Sequence, residues 1–377
     1  MIQKRLFTLF MLIGGMLLAS CSSTQSSPAP QANMPNPASV YCEENGGKLE
    51  LRQDASGGVA GICTFPDGSE CEEWAYFRGE CKPGDSLVNP APSLTPSPSS
   101  SPVPNAEGSN GQIVFYSNRD GGYNNIYVLE IGGSGLTRLT QDQTNAFSGP
   151  FSPDGTRLLF TGFGLTHSYV GLMNADGSGQ TDLTNLSESD EAFPAWSPDG
   201  NHIAFTSRRD GNNEIYVMNA DGSDPQRLTD SPKDDFAPAW SPDGTRIAFV
   251  SDRDNETGIY SIYLMNADGT AVTRLTSDKS NDYSPDWSPD GAQIAYHSVR
   301  DGQADIVVIN VESLVETNLT SNPADDYAPR WSSDGTRIAF QTKRDGNWEV
   351  YIMDVDGSNL INLTNDPADD QLPYWIP

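Results

Sequence analysis

The feature that most constrains this chain is a phrase that returns at almost constant spacing. The turn Ser-Pro-Asp-Gly, or a near copy, begins at Ser152, Ser197, Ser241, Ser288 and Ser332, at spacings of 45, 44, 47 and 44 residues. A fixed period of that size means one supersecondary unit repeated, and units of about 40–45 residues are typical of propeller blades. Within one unit, four short runs read as strands: Ala237–Trp240, Arg246–Ser251, Ile259–Asn266 and Val272–Thr276. They are rich in β-branched and aromatic residues and bounded by turn chemistry. Pro242 pre-sets its own φ, and Asp243-Gly244 takes up the rest of the turn. The second run, Ile247-Ala248-Phe249-Val250, is apolar throughout, as a strand buried on both faces would be.

Sets of second, third and fourth strands begin near Ile113, Leu158, Ile203, Ile247, Ile294 and Ile338. First strands precede only the last five sets. The missing one is the C-terminus, where Asp370–Trp375 matches Asp235–Trp240. The expected fold is therefore all-β: a six-bladed β-propeller closed by its C-terminal strand, which removes open sheet edges.

Strand direction places the Ser-Pro-Asp-Gly turns on one face and the Arg-Asp-Gly hairpins on the other. A two-residue site, the doublet, precedes each first strand on the hairpin face, and five of the six supply a carboxylate at its second position. Its second position holds Ala146, Glu191, Asp235, Asp282, Asp326 and Asp370, and its first holds Asn145, Asp190, Asp234, Asn281, Asp325 and Asp369. Carboxylates converging on a channel mouth would suit Ca²⁺ or a basic peptide. Arg119, Arg209, Arg253, Arg300 and Arg344 sit in the hairpins of the same face, and the competing expectation is that they pair with these acids and lock blade to blade. The aromatic at Phe151, Trp196, Trp240, Trp287, Trp331 and Trp375 reads as packing between blades.

The N-terminal part is organised differently. Lys4 and Arg5 precede an apolar run of 13 residues, Leu6–Leu18, short of the roughly 20 needed to cross a bilayer. Leu18-Ala19-Ser20-Cys21 resembles a bacterial lipobox, which implies residues 1–21 are an export signal and Cys21 the lipidated N-terminus. Residues 22–36 read as a disordered tether and 83–110 as a Pro/Ser-rich linker. Between them, residues 37–82 carry Cys42, Cys63, Cys71 and Cys81, an even count that predicts two disulfides in an exported module. Three pairings are open. No Cys-x-x-Cys pair supports zinc.

Two resemblances follow from these residues. NPASVYCEENGGKLELR and FPDGSECEEWAYFRGEC resemble a small exported domain family labelled haemolysin and treated as a domain of unknown function. No amphipathic or pore-forming stretch accompanies that label. Gly111–Pro377 resembles the TolB-like, WD-type propeller repeats of bacterial envelope proteins, through SPDG, Ile-Ala-Phe, Arg-Asp-Gly, Ile-Tyr-x-Met-Asn and the closing Leu-Thr. That resemblance implies calcium in the channel and a protein partner at its mouth. The α/β domain that precedes the propeller in TolB has no counterpart here, and Gly162-Phe163-Gly164-Leu165 replaces Arg-Asp-Gly in the second unit.

The chain holds 51 Asp and Glu against 22 Lys and Arg, a formal net charge of −29, which argues against nucleic acid and anionic lipid surfaces. Its three histidines, His167, His202 and His297, occupy different strand roles, and no Gly-x-Ser-x-Gly elbow exists. The expectation is a non-enzymatic, monomeric scaffold for an envelope protein or peptide, anchored to the membrane by lipid. The alternatives are a polysaccharide-active enzyme and a purely structural module. Replacing Cys21 by Ala should move the protein from the detergent-rich to the aqueous phase in a detergent partition experiment. Retention in the detergent phase would place the anchor elsewhere.

Overall fold

The computed structural model describes residues 42, 46–53, 59–72, 111–132, 135–141, 145–184, 189–254, 258–277 and 279–377. The expected export signal, Cys21, the tether, the linker and Cys81 lie outside these residues. The chain divides into two compact units.

The smaller unit is a three-stranded antiparallel sheet of β1 (Lys48–Gln53), β2 (Val59–Thr64) and β3 (Glu70–Glu72). Register places Cys63 opposite both Leu49 and Cys71. Cys42 and Cys63 form a disulfide, and Cys71 is disulfide-bonded as well. These sulfurs and Phe65 are the buried core. Gly47 is obligatory here, since a Cβ would sit 2.2 Å from the Cys63 Sγ. The sulfur–sulfur bond thus stands in for the apolar side chains that so short a segment cannot supply.

The larger unit holds six four-stranded antiparallel sheets among the described residues. The first contains β4 (Gln112–Ser117), β5 (Asn125–Glu130) and β6 (Leu136–Arg138). The second runs from β7 (Ala146–Phe151) through β8 (Arg157–Phe163) and β9 (Ser168–Asn174) to β10 (Thr181–Asp182). The third holds β11 (Glu191–Trp196), β12 (His202–Ser207), β13 (Glu214–Asn219) and β14 (Gln226–Arg227). The fourth holds β15 (Asp235–Trp240), β16 (Arg246–Ser251), β17 (Ser261–Asn266) and β18 (Thr273–Arg274). The fifth holds β19 (Asn281–Trp287), β20 (Gln293–Arg300), β21 (Gln303–Asn310) and β22 (Glu316–Asn318). The sixth holds β23 (Asp326–Trp331), β24 (Arg337–Thr342), β25 (Glu349–Asp354) and β26 (Ile361–Asn362). The last strand, β27 (Asp370–Ile376), pairs with β4, with Asp370 opposite Ser117 and Trp375 opposite Ile113.

Apolar second strands explain how the sheets stack. Leu159 and Val170 of the second sheet meet Trp196 and Ile203 of the third. Val250 and Ile262 of the fourth meet Ile294 and Tyr296 of the fifth. Ala339 and Val350 of the sixth meet Ile113 and Phe115 of the first, with Trp375 packed against them. The repeated aromatic therefore works between sheets. Trp287 donates its Nε1–H to the Ala239 carbonyl at 3.1 Å, and Trp375 donates to the Arg330 carbonyl at 3.0 Å.

Each Ser-Pro-Asp-Gly turn is closed by its own side chains. Asp243 accepts from the Ser241 hydroxyl at 2.6 Å and the Thr245 N–H at 3.0 Å, while Gly244 takes a φ of 71°. Hydrogen bonds of this kind, the serine's foremost, hold the carboxyls of Asp154, Asp199 and Asp243 down to about 2.

The first strands carry a feature the sequence pattern did not announce. Phe193, Ala237, Ser284, Ala328 and Leu372 have φ of 53°, 52°, 54°, 53° and 50°, each just before a proline and inside a register shift. A left-handed conformation costs a non-glycine residue about 1–2 kcal/mol. Part of that cost is offset by hydrogen bonds to the preceding sheet. The Ala237 N–H donates to the Thr206 hydroxyl at 3.0 Å, and the Leu372 N–H to the Gln341 side-chain carbonyl at 2.8 Å.

Deleting residues 371–377 removes nearly all of β27 and exposes the edge of β4. The melting temperature should fall by about 10 °C or more, with self-association. Calorimetry and light scattering check this, and an unchanged melting point in a monomer would refute it.

Candidate functional site

The acids at the second doublet position do not project into solvent. Asp235, Asp326, Asp370 and Glu191 are 0% exposed and Asp282 is 1% exposed. Four of them meet the arginine of their own hairpin. Arg119 Nη2 lies 2.7 Å from Asp370, Arg209 Nη2 3.2 Å from Glu191, Arg253 Nη2 2.6 Å from Asp235, and Arg344 Nη2 3.1 Å from Asp326. Every one of these pairs lies within a single sheet. They clamp the hairpin to the first strand and do not lock blade to blade, which corrects that expectation.

The clamp has a fixed construction. Each of these arginines donates its Nε–H to a hydroxyl at the end of the second strand, as Arg209 does to Ser207 at 2.8 Å. Its guanidinium lies over a second-strand Phe and a third-strand Tyr, 5.0 and 5.4 Å from Phe249 and Tyr263 in the case of Arg253. The tyrosine hydroxyl then donates to the hairpin aspartate, as Tyr263 does to Asp254 at 2.9 Å. Stacking, hydrogen bonds and charge pairing thus hold one planar cation.

Two sheets depart from this design. The second has Ala146 in place of the acid, no hairpin arginine, and Gly171 opposite Phe160 where the tyrosine would stand. The fifth keeps Asp282 and Arg300 but has Val307 opposite Tyr296. With the third-strand ring gone, Arg300 pairs with Glu316 at 2.7 Å instead of Asp282. Asp282 is left with the Ser298 and Ser280 hydroxyls at 2.7 and 2.9 Å, and burial pushes its carboxyl up to about 6. Burial also raises Asp235 to about 6, and raises Glu191 and Asp370, against the pull of their arginines.

The first doublet position has a separate task. Asp234 Oδ1 accepts the Asn213 N–H at 2.9 Å, and the corresponding bonds join Asn145 to Asn124, Asp190 to Ser168, Asn281 to Tyr260, Asp325 to Ala304 and Asp369 to Trp348. Each bond ties one sheet to the next. Only an acceptor is needed, which is why Asn serves as well as Asp.

Buried acids on the third strand escaped the sequence reading. Glu214 is 0% exposed and Glu349 2%. Glu214 receives Arg227 Nη2 at 2.8 Å and the Thr229 hydroxyl at 2.7 Å. The recurrence of Asn-Asn-Glu at 212–214 and Asn-Trp-Glu at 347–349 was the available signal. Among the described residues, no group of three or more His, Cys, Asp and Glu is gathered as a metal-ligand set. The three histidines lie apart, with His297 buried between Tyr283 and Tyr327.

The first strands of all six sheets line one cavity of about 250 Å³ that runs toward the Ser-Pro-Asp-Gly turns. Its walls are mostly apolar, with Phe193, Trp240 and several prolines. The ionisable residues in it are Asp286, Arg330 and Tyr374. Burial raises the Asp286 carboxyl to about 6.

Comparison with known proteins agrees with this geometry. The model of the TolB beta propeller domain matches residues 162–262 and 259–377. This chain belongs to the TolB beta propeller family. The model of a domain of unknown function, DUF333, matches residues 33–80. Over 73 residues, 19% of this chain and 86% of the relative, the chain is 41% identical to Uncharacterized protein YoaF of Escherichia coli strain K12. The fold is similar to TolB from Acinetobacter baumannii, with a TM-score of 0.62 at 18% identity over 94% of this chain and 89% of that one. It is also similar to an oligogalacturonate lyase in complex with manganese, with a TM-score of 0.50 at 16% identity over 84% of each chain.

The contrast between sheets makes a stability prediction. Asp282 holds its proton in the folded state up to about pH 6, whereas an unfolded aspartate loses it near 3.9. Its contribution is therefore full below about pH 4 and lost as the pH rises through 6. Asp282→Asn should stabilise the protein by about 1–3 kcal/mol near pH 7.5 and flatten the pH dependence between about 4 and 6. Asp326→Asn leaves Arg344 without its anion and should cost about 1–3 kcal/mol. Urea unfolding at about pH 5 and 7.5 measures both, and equal effects would refute the distinction.

Proposed function

We propose that this protein is a lipid-anchored component of a bacterial cell envelope whose propeller is a scaffold for a protein or peptide partner. In this reading the six sheets form a closed six-bladed ring, Cys21 carries the lipid, and residues 37–82 form the separate disulfide-bonded domain. Support for the ring comes from the pairing of β27 with β4 and from the packing of the sixth sheet on the first. Among the described residues, no helix is long and apolar enough to cross a membrane.

The observation that carries the scaffold reading is that each buried acid of the hairpin face already has a partner within its own sheet. Its buried acids are engaged by arginines, hydroxyls and backbone N–H groups, so they frame the surface and do not supply a free acid–base pair. Glu191, Asp235, Asp282, Asp326 and Asp370 are then the frame beneath the docking surface. Exposed carboxylates such as Asp230, 91% exposed in its side chain, and Asp301, exposed in the hairpin beside Arg300, add negative charge for a basic partner.

A second reading, an enzyme acting on an acidic polysaccharide, is favoured by the likeness to oligogalacturonate lyase and by the cavity between the first strands. It predicts release of unsaturated products from polygalacturonate.

Capture from envelope extract separates these readings. Wild type should retain a basic protein that is lost when Asp230 and Asp301 are both replaced by Lys, with unchanged melting. Equal retention by the variant would refute docking on this face. Calcium is the cation to test there. A calorimetric titration without heat, together with an unshifted melting temperature, removes it from the proposal.

A further inference from the structure

The residue just before the repeated aromatic faces the cavity on every first strand. It is Pro150, Ala195, Ala239, Asp286, Arg330 and Tyr374 in successive sheets. Three are uncharged and small or apolar. The other three stand on the adjacent strands β19, β23 and β27 and are polar. A requirement of the frame would be shared by all six strands, as the first doublet position and the aromatic are. Asp286 and Arg330 answer no such shared requirement.

Their bonds leave capacity facing the cavity. Asp286 Oδ2 accepts the Trp331 N–H at 2.7 Å, and that is the one hydrogen bond its carboxylate makes among the described residues. Arg330 donates from Nη1 to the Pro329 carbonyl at 2.7 Å and from Nη2 to the Tyr374 hydroxyl at 2.9 Å, with its guanidinium 4.4 Å from the Tyr374 ring centre. The two charges are not an ion pair among the described residues. Each reaches instead to the next strand round. Guanidinium hydrogens and one carboxylate oxygen remain for a ligand.

We propose that this cavity binds a small zwitterion with an apolar body, an α-amino acid with an aliphatic side chain, its carboxylate on Arg330 and its ammonium on Asp286. A simple anion would satisfy Arg330 but sit against the Asp286 charge, and a simple cation would meet the converse problem. A ligand carrying both charges gives each group a partner of opposite sign between largely apolar walls. The guanidinium fork matches a carboxylate. Phe193, Trp240 and the proline rings offer an apolar wall for the side chain. A volume of about 250 Å³ suits a molecule of this size and not a folded partner. The site is separate from the hairpin face and stands or falls independently of the partner proposed there.

The test is calorimetry on the full-length protein in detergent, with L-leucine as the probe. Isocaproate, which lacks the amine, and isoamylamine, which lacks the carboxylate, are the controls. L-leucine should bind at least about tenfold more tightly than either control, and Arg330→Gln and Asp286→Asn should each weaken it about tenfold or more. Ala239→Leu fills the cavity without touching a charge, and should abolish binding while leaving the melting temperature within a few degrees. Should either charge variant fail to fold, the controls and Ala239→Leu still decide. Absence of L-leucine binding at millimolar concentration, equal binding of a control, or undiminished binding by Ala239→Leu would each overturn the proposal.

Discussion

The pairing of β27 with β4 is the constraint on which the larger unit depends. It joins residues 370–376 to residues 112–117, nearly the two ends of that unit. Closing so long a loop is entropically expensive, although the cost grows only with the logarithm of its length. What offsets it is a concentrated set of contacts. Trp375 is packed among Ile113, Phe115 and Ala339, the Leu372 carbonyl accepts from Ser148, and Asp370 binds Arg119. These contacts reach three different sheets. The final strand is therefore a component of the first sheet, a cover for the sixth and a neighbour of the second, and those roles cannot be lost one at a time.

Most of this was legible in the sequence because the interactions involved are local or repeated. A Ser-Pro-Asp-Gly turn closes on itself within five residues, so its meaning travels with the motif. The match of Asp370–Trp375 to Asp235–Trp240 identified the strand that joins the first sheet. What failed to come through was burial. A carboxylate in a doublet looks the same in sequence whether it faces water or a guanidinium. The expected cluster of carboxylates at the channel mouth became a set of interior clamps because the acid lies on the first strand, the arginine's hydroxyl partner and one ring on the second and the other ring on the third, a register that one sequence run does not display. The left-handed residues were hidden for a related reason. Phe193, Ala237, Ser284, Ala328 and Leu372 share no side-chain type, and the backbone conformation is imposed by the bulge and the proline that follows.

The clamp also changes what the excess of acid means. A formal charge of −29 would be costly if all of it repelled itself at the surface. Part of it is withdrawn into the sheets, where arginine and hydroxyl donors receive it. Burial pushes the same groups toward their neutral forms, Asp282 and the arginine-paired Asp235 alike to about 6. The clamp is thus a compromise between desolvation and pairing, and its strength rests on the two aromatic rings that fix the arginine. Where Val307 removes one ring, Arg300 leaves for Glu316 and the pairing with Asp282 is absent.

Repetition lets one chain serve as its own comparison. A position occupied six times in the same surroundings reveals its task by what it tolerates. The first doublet position accepts Asp or Asn, so it needs an acceptor and not a charge. The acid, the arginine and the tyrosine vanish together in the second sheet, where Ala146, the arginine-free hairpin and Gly171 stand, so they are one device. By the same logic, a position that holds Pro150, Ala195, Ala239, Asp286, Arg330 and Tyr374 has no single task common to the six sheets, although Asp286 and Arg330 each bond to the next strand round. Opposite charges on neighbouring strands of the cavity wall are the feature that suits the bound molecule proposed there.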